Sequence, residues 1–180
     1  KFVGATVTTT PSHTSFFEMS APWFKNYVGV RLSDDQMRDI SHPNLELAAH
    51  VTMKTVQTFG LIGTMFVGPM VAVARKDTRN WSGVQAKMTQ AGQVGLVLGI
   101  LAGPLMTYAR MRSVSDPDGA YDRCYRIRYN RTQVRVDRAS ILGFVGGAGI
   151  AYYMAGDAMF GGLVGMSGGI IITSVLNSIF

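Results

Sequence analysis

Four stretches without a single charged residue set the pattern of the chain: 56–74, 91–109, 139–156 and 158–180. Each is 18 to 23 residues long, and together they hold the long apolar runs. A hydrocarbon core of about 30 Å takes roughly 20 helical residues to cross. One Asp, Lys or Arg at its centre costs about 2.5–3.5 kcal/mol, so charge-free runs are the expected mark of spanning helices. Helices of a soluble core usually keep a polar face, and these runs show none of that width. The pattern predicts an all-α fold, a four-helix transmembrane bundle, with helices over about 45–75, 82–110, 138–155 and 157–179. Residues 1–47 read as an N-terminal extramembrane segment, residues 48–180 as the four-helix domain, and 111–137 as a polar loop inside it.

Local punctuation supports these bounds. Ser33-Asp34-Asp35-Gln36 has the form of a capping box, opening a short helix through about Ser41. Two readings fit this segment equally: a helix lying on the membrane surface, and a loosely packed tail held by partners. Asn44 after Pro43 reads as the N-cap of the first long helix, whose early residues His50 and Lys54 project beyond the bilayer, where Lys54 snorkels. Ser82-Gly83-Val84-Gln85 reads as a second capping box. Gly156 supplies the turn of the last hairpin, and Asp157 the next N-cap. Before Pro22, and around it, Phe16, Phe17, Trp23 and Tyr27 are spaced without a period.

Most of the 21 glycines fall in the four helices. Gly95, Gly99 and Gly103 step by four along the second helix, Gly143 and Gly147 along the third, and Gly161, Gly165 and Gly169 along the fourth. A step of four keeps residues on one helix face. In lipid, little hydrophobic drive exists between helices, and close backbone approach takes its place. These eight glycines are therefore the candidate helix-packing residues, within the chain rather than toward a partner.

Charge enters next. The chain carries 17 Lys and Arg against 11 Asp and Glu, and eight arginines lie between Arg110 and Arg138. Among them Arg110, Arg112, Arg123, Arg126, Arg128 and Arg131 are candidate contacts for lipid headgroups or partner proteins. Tyr121, Tyr125 and Tyr129 recur every four residues beside them. Two readings fit equally: an amphipathic surface helix with arginines toward phosphates, or a solvated loop docked on acidic partners. Juxtamembrane basic clusters attract anionic lipids, cardiolipin included, by about 1 kcal/mol per residue. Nucleic acid is a poor fit for a chain anchored throughout its folded part. The positive-inside rule places both termini and this loop on the cytoplasmic or matrix side.

Candidate chemistry is sparse. No charged group interrupts the runs, as proton relays and coupled transport require. His13, His42 and His50 lack metal-ligand spacing and read as surface residues. The single cysteine, Cys124, sits among arginines that would lower its pKa, and reads as a loop thiol without a catalytic partner. No catalytic, metal or cofactor-binding residues are nominated, and the expectation is a protein without an active site of its own.

The stretch Asp137-Arg138-Ala139-Ser140-Ile141-Leu142-Gly143-Phe144-Val145-Gly146-Gly147-Ala148-Gly149, followed by Gly161-Gly162 and Gly165, resembles the Tim translocase superfamily. Within it, the chain is most similar to the four-helix accessory subunits of respiratory complex I, over roughly 45–180. The resemblance implies a multi-pass protein of the mitochondrial inner membrane. It implies a non-catalytic accessory role: bracing the membrane arm of an NADH:ubiquinone oxidoreductase against its other subunits, and contacting neighbouring respiratory complexes in a supercomplex. A component of an inner-membrane protein-import translocase is the alternative. The family would also put both termini in the intermembrane space, opposite to the charge count.

Overall fold

The structure, a computed structural model, describes residues 22, 24–26, 29–112 and 119–180. His13, Phe16, Phe17, Trp23 and Tyr27, and most of the predicted N-terminal segment, lie outside the described residues. Seven α-helices are named here in chain order. They are α1 (Asp34–Arg38), α2 (Pro43–Ile62), α3 (Gly68–Ala74), α4 (Trp81–Arg112), α5 (Gly119–Tyr129), α6 (Arg131–Tyr153) and α7 (Ala158–Ile179). The chain is all-helical among the described residues, with no strand.

α2 and α3 form one continuous rod. A π-helical turn, Gly63–Val67, joins them ahead of Pro69. Proline has no N–H for the carbonyl four residues back and crowds it with its ring. A widened turn before the proline relieves that conflict. The Thr64 hydroxyl, inside this turn, is fully buried and without a hydrogen-bond partner.

Two antiparallel hairpins result. In the first, α2 and α3 run against α4. A Cβ on Gly99 would stand 2.5 Å from the Val56 Cα, and one on Gly68 would stand 2.5 Å from the Met88 Cα. In the second hairpin α6 runs against α7, and Gly143 faces the Gly165 carbonyl as Gly147 faces that of Gly161. The hairpins meet where Gly60 lies under Leu96 and Met166, and where Leu163 and Thr64 both lie against Gly92. At one end Trp81 meets Phe160 edge-on, with ring centroids 6.3 Å apart. At the other end α1 and α5 cap the helices over a small core of Ile40, Leu47, Ala120 and Cys124.

Three helical stretches are long and apolar enough to cross a membrane: Pro43–Ala74 and Trp81–Arg112, 32 residues each, and Ala158–Ile179, 22 residues. α6 has the length, at 23 residues, but not the hydropathy. Its first two turns carry Arg131, Arg135, Asp137 and Arg138, and its four glycines add little apolar character. Four equivalent spans were expected; three meet the criterion.

Several helix ends differ from expectation. α2 starts at Pro43, with His42 rather than Asn44 before it, because proline suits a first-turn position that has no donor to offer. α4 is capped by Asn80, whose Oδ1 accepts from the Gly83 N–H at 2.7 Å, and not by Ser82. α6 starts at Arg131 under an Asn130 cap, so the expected loop 111–137 is helical over α5 and the first two turns of α6. The Ser33–Gln36 capping box and the Asp157 N-cap form as read. In the last turn the left-handed residue is Ala155, at φ 54°, not Gly156. Gly156 N–H donates to the Ala151 carbonyl (2.8 Å) and Ala155 N–H to that of Tyr152 (3.1 Å). That is a Schellman closure with alanine where glycine is usual.

Candidate functional site: a buried charged seam

Polar residues at helical spacing line the seam between the two hairpins. On α2, His50, Lys54 and Gln57 fall on one face; on α6, Asp137 and Ser140 do the same. Asp137 is fully buried, and its carboxylate forms an ion pair with Lys54. Gln57 Nε2 donates to the same carboxylate oxygen at 3.0 Å and to Ser140 Oγ at 2.7 Å. Lys54 Nζ also donates to Gln57 Oε1 (3.2 Å), and Ser140 Oγ donates to the Asp137 carbonyl (2.8 Å). His50 is buried one turn earlier on α2. An unpaired carboxylate here would be prohibitively costly, whereas a paired and fully hydrogen-bonded one persists.

Lys54 and His50 correct two expectations. Lys54 turns inward to Asp137 instead of snorkelling, because Asp137 offers it a full opposite charge at the same depth. His50 is interior rather than on the surface; His42 is exposed.

A second buried pair locks the cap. Arg128 is 3% exposed and grips Glu46 with both arms, Nε to Oε1 at 2.7 Å and Nη2 to Oε2 at 2.6 Å. Its Nη1 donates to the carbonyls of Gln36, Met37 and Asp39, at 2.9 to 3.2 Å. Those are orphan acceptors at the end of α1, and a planar guanidinium serves a carboxylate and a helix end at once. Tyr121 OH donates to the Arg38 carbonyl (2.8 Å) and Tyr129 OH to Asp34 (3.1 Å).

Of the six arginines nominated for headgroups or partners, Arg128 is therefore an internal strut and is withdrawn from that set. Arg126 is exposed and pairs with Asp122 one turn away (2.6 Å). Arg112 lies over the Tyr108 ring, 5.6 Å from its centroid. Arg110 and Arg131 are exposed, and Arg123 is half-buried.

The eight nominated glycines all face a neighbouring helix of the same chain. Gly95 lies against Phe59, Gly99 against Val56, Gly103 against Thr52, and Gly169 against Ala139; the other four, Gly143, Gly147, Gly161 and Gly165, face one another across α6 and α7. By contrast Gly146, Gly149 and Gly168 have open space where a Cβ would go.

Cys124 reverses its expectation. It lies in α5, not in a loop, and it is 1% exposed, with its thiol donating to the Pro43 carbonyl (3.1 Å). Burial, then the nearby Glu46 carboxylate, push its pKa up to about 12, and Arg128 offsets only part of that. It is a packed, protonated thiol rather than a nucleophile. No group of His, Cys, Asp and Glu among the described residues is arranged to hold a metal ion.

The seam itself went unread in the sequence. Its signal was present: Lys54 and Asp137 each lie two residues before a charge-free run, at the same end of the bundle and with opposite signs. A family model described as a protein of unknown function, DUF1757, matches residues 23–176. The chain matches no curated protein.

Proposed function

We propose that this chain, which belongs to the DUF1757 family, is a non-catalytic structural subunit of a membrane assembly, and that the assembly is mitochondrial respiratory complex I. One observation carries the structural role. The buried charges are neutralised inside the chain, Lys54 by Asp137 and Arg128 by Glu46. They tie the hairpins and the cap together, and an apolar exterior remains for neighbours and lipid tails: Leu101, Leu105, Leu142 and Ile172 are each more than half exposed. Assignment to complex I in the inner membrane draws on the resemblance of residues 137–149 and 161–165. On this reading α6 crosses the bilayer beside α7, with Asp137 neutralised by Lys54 and the exposed Arg131 and Arg135 at the headgroup end, and completes four crossings. Arg126 and Arg131 face headgroups such as cardiolipin or adjoining membrane-arm subunits, and the outer faces meet neighbouring respiratory complexes.

A protein-import translocase is the second reading. It draws on a shallow notch of about 270 Å³ lined by Thr132, Gln133, Val136, Ser174, Asn177 and Ser178. Native-gel fractionation of detergent-solubilised mitochondria, followed by mass spectrometry, separates the two. Co-migration with NADH dehydrogenase activity is the expected result. Migration with a smaller import complex would replace the first reading by the second, and absence from mitochondria would end both.

A further inference from the structure

The outer face of the first hairpin carries a groove of about 380 Å³, at the end of the molecule opposite α5. Its floor is Gly63, Ala91 and Gly95, where small residues bring the two backbones together. One wall is Ile62, Val67 and Val71 and the other Val94 and Leu98, almost entirely apolar. The π turn forms part of the first wall. At its mouth stand Lys87 and Gln90, the lysine donating to Gln90 Oε1 at 3.0 Å and keeping two further N–H donors.

Length and charge together select an occupant. From Lys87 to Leu98 is 11 helical steps, about 16 Å at 1.5 Å each. One leaflet of the hydrocarbon core is about 15 Å deep, half of about 30 Å. The groove thus reaches from a cation at headgroup level to the bilayer midplane. The adjoining connection adds Arg75, Lys76 and Arg79 against Asp77 alone, so the mouth is cationic. Trp81, 70% exposed, lies six helical steps beyond Lys87 on α4, about 9 Å further toward this end of the molecule.

We propose that this groove is a binding site for one acyl chain of an anionic phospholipid, with its phosphate held by Lys87. The site rests on the membrane-spanning character of the first hairpin alone, not on the host assembly. Zwitterionic lipids share the tail but gain less from the cationic mouth.

The full chain, reconstituted in nanodiscs containing equal phosphatidylglycerol and phosphatidylcholine of matched chains, is released and weighed by native mass spectrometry. The wild type is expected to retain one phosphatidylglycerol under conditions that strip phosphatidylcholine. Lys87→Ala removes the phosphate partner and Ala91→Leu fills the groove floor; each lowers retention at least tenfold, while Lys87→Arg keeps it. Equal retention of both lipids by the wild type would overturn the proposal, as would unchanged retention in Lys87→Ala. Loss in Ala91→Leu with none in Lys87→Ala would likewise reject phosphate recognition.

Discussion

Lys54 on α2 and Asp137 on α6, 83 positions apart in sequence, form an ion pair inside the seam between the two hairpins. Gln57 and Ser140 complete the hydrogen bonding around it. The arrangement makes a definite mutational pattern. Removing one charge strands the other, at about 3–5 kcal/mol, while replacing both by apolar groups of similar size is near neutral. Asp137→Leu and Lys54→Met are each expected to lower the unfolding temperature in detergent sharply, and the double variant to recover most of the loss. A double variant as unstable as the singles would show that the pair does not act as a unit.

Arg128 tests the cap separately. Arg128→Lys keeps one charge but cannot serve two carboxylate oxygens and three carbonyls together. Limited proteolysis should then cut within 30–47 or 119–130 at least ten times faster than in wild type. Cleavage within α4 and α7 should not change. If the whole chain became equally sensitive, Arg128 would be supporting the hairpins and not merely the cap.

Glycines within the second hairpin divide into two classes. Gly143 and Gly165 each meet the other's backbone, whereas Gly146 and Gly149 meet nothing within 4 Å. Gly165→Leu is expected to separate α6 from α7 and abolish a cysteine crosslink engineered between them. Gly146→Leu should crosslink like the parent. Indistinguishable crosslinking by the two variants would remove the packing role.

The Cys124 thiol gives a pH signature. Its folded pKa, about 12, lies above its ordinary value of 9.0. The neutral form is the one that fits the core, so this contribution to stability is complete below pH 9 and lost as pH rises toward 12. Maleimide at pH 8 should leave Cys124 unmodified in the folded protein and modify it after denaturation. Cys124→Ala should flatten the part of the stability loss between pH 9 and 11 that this thiol causes.

Ala155 occupies a left-handed conformation in which its Cβ crowds the following carbonyl. Ala155→Gly is expected to stabilise the protein by about 1 kcal/mol, read as a higher unfolding temperature. A fall in that temperature would mean that the alanine methyl group contributes packing that outweighs the strain.

Helix positions were legible because lipid imposes a coarse rule, and a charge within an apolar run is easily seen. The three stretches that meet the span criterion are those with the longest unbroken hydropathy. Glycine strips were legible for a related reason: a four-residue step leaves few uses for a helix face of hydrogen atoms. Side-chain partners across the seam were not, because Lys54 read alone resembles any lysine near a membrane boundary. Its inward turn depends on Asp137, whose depth is fixed by the α6–α7 register and not by its neighbours in sequence. Cys124 failed likewise: the arginines near it in sequence mostly point elsewhere on α5, and burial decides its chemistry. The caps at Asn80 and Asn130 were hidden by better-looking patterns nearby, and those two asparagines are also the acceptor positions of the chain's two glycosylation-type triplets.

The seam also joins parts of the chain that are synthesised far apart. Residues up to 112 complete the first hairpin, yet Lys54 faces an empty position until Asp137 and α6 arrive. A chain that ends before α6 therefore lacks the carboxylate that neutralises the Lys54 ammonium in the complete fold.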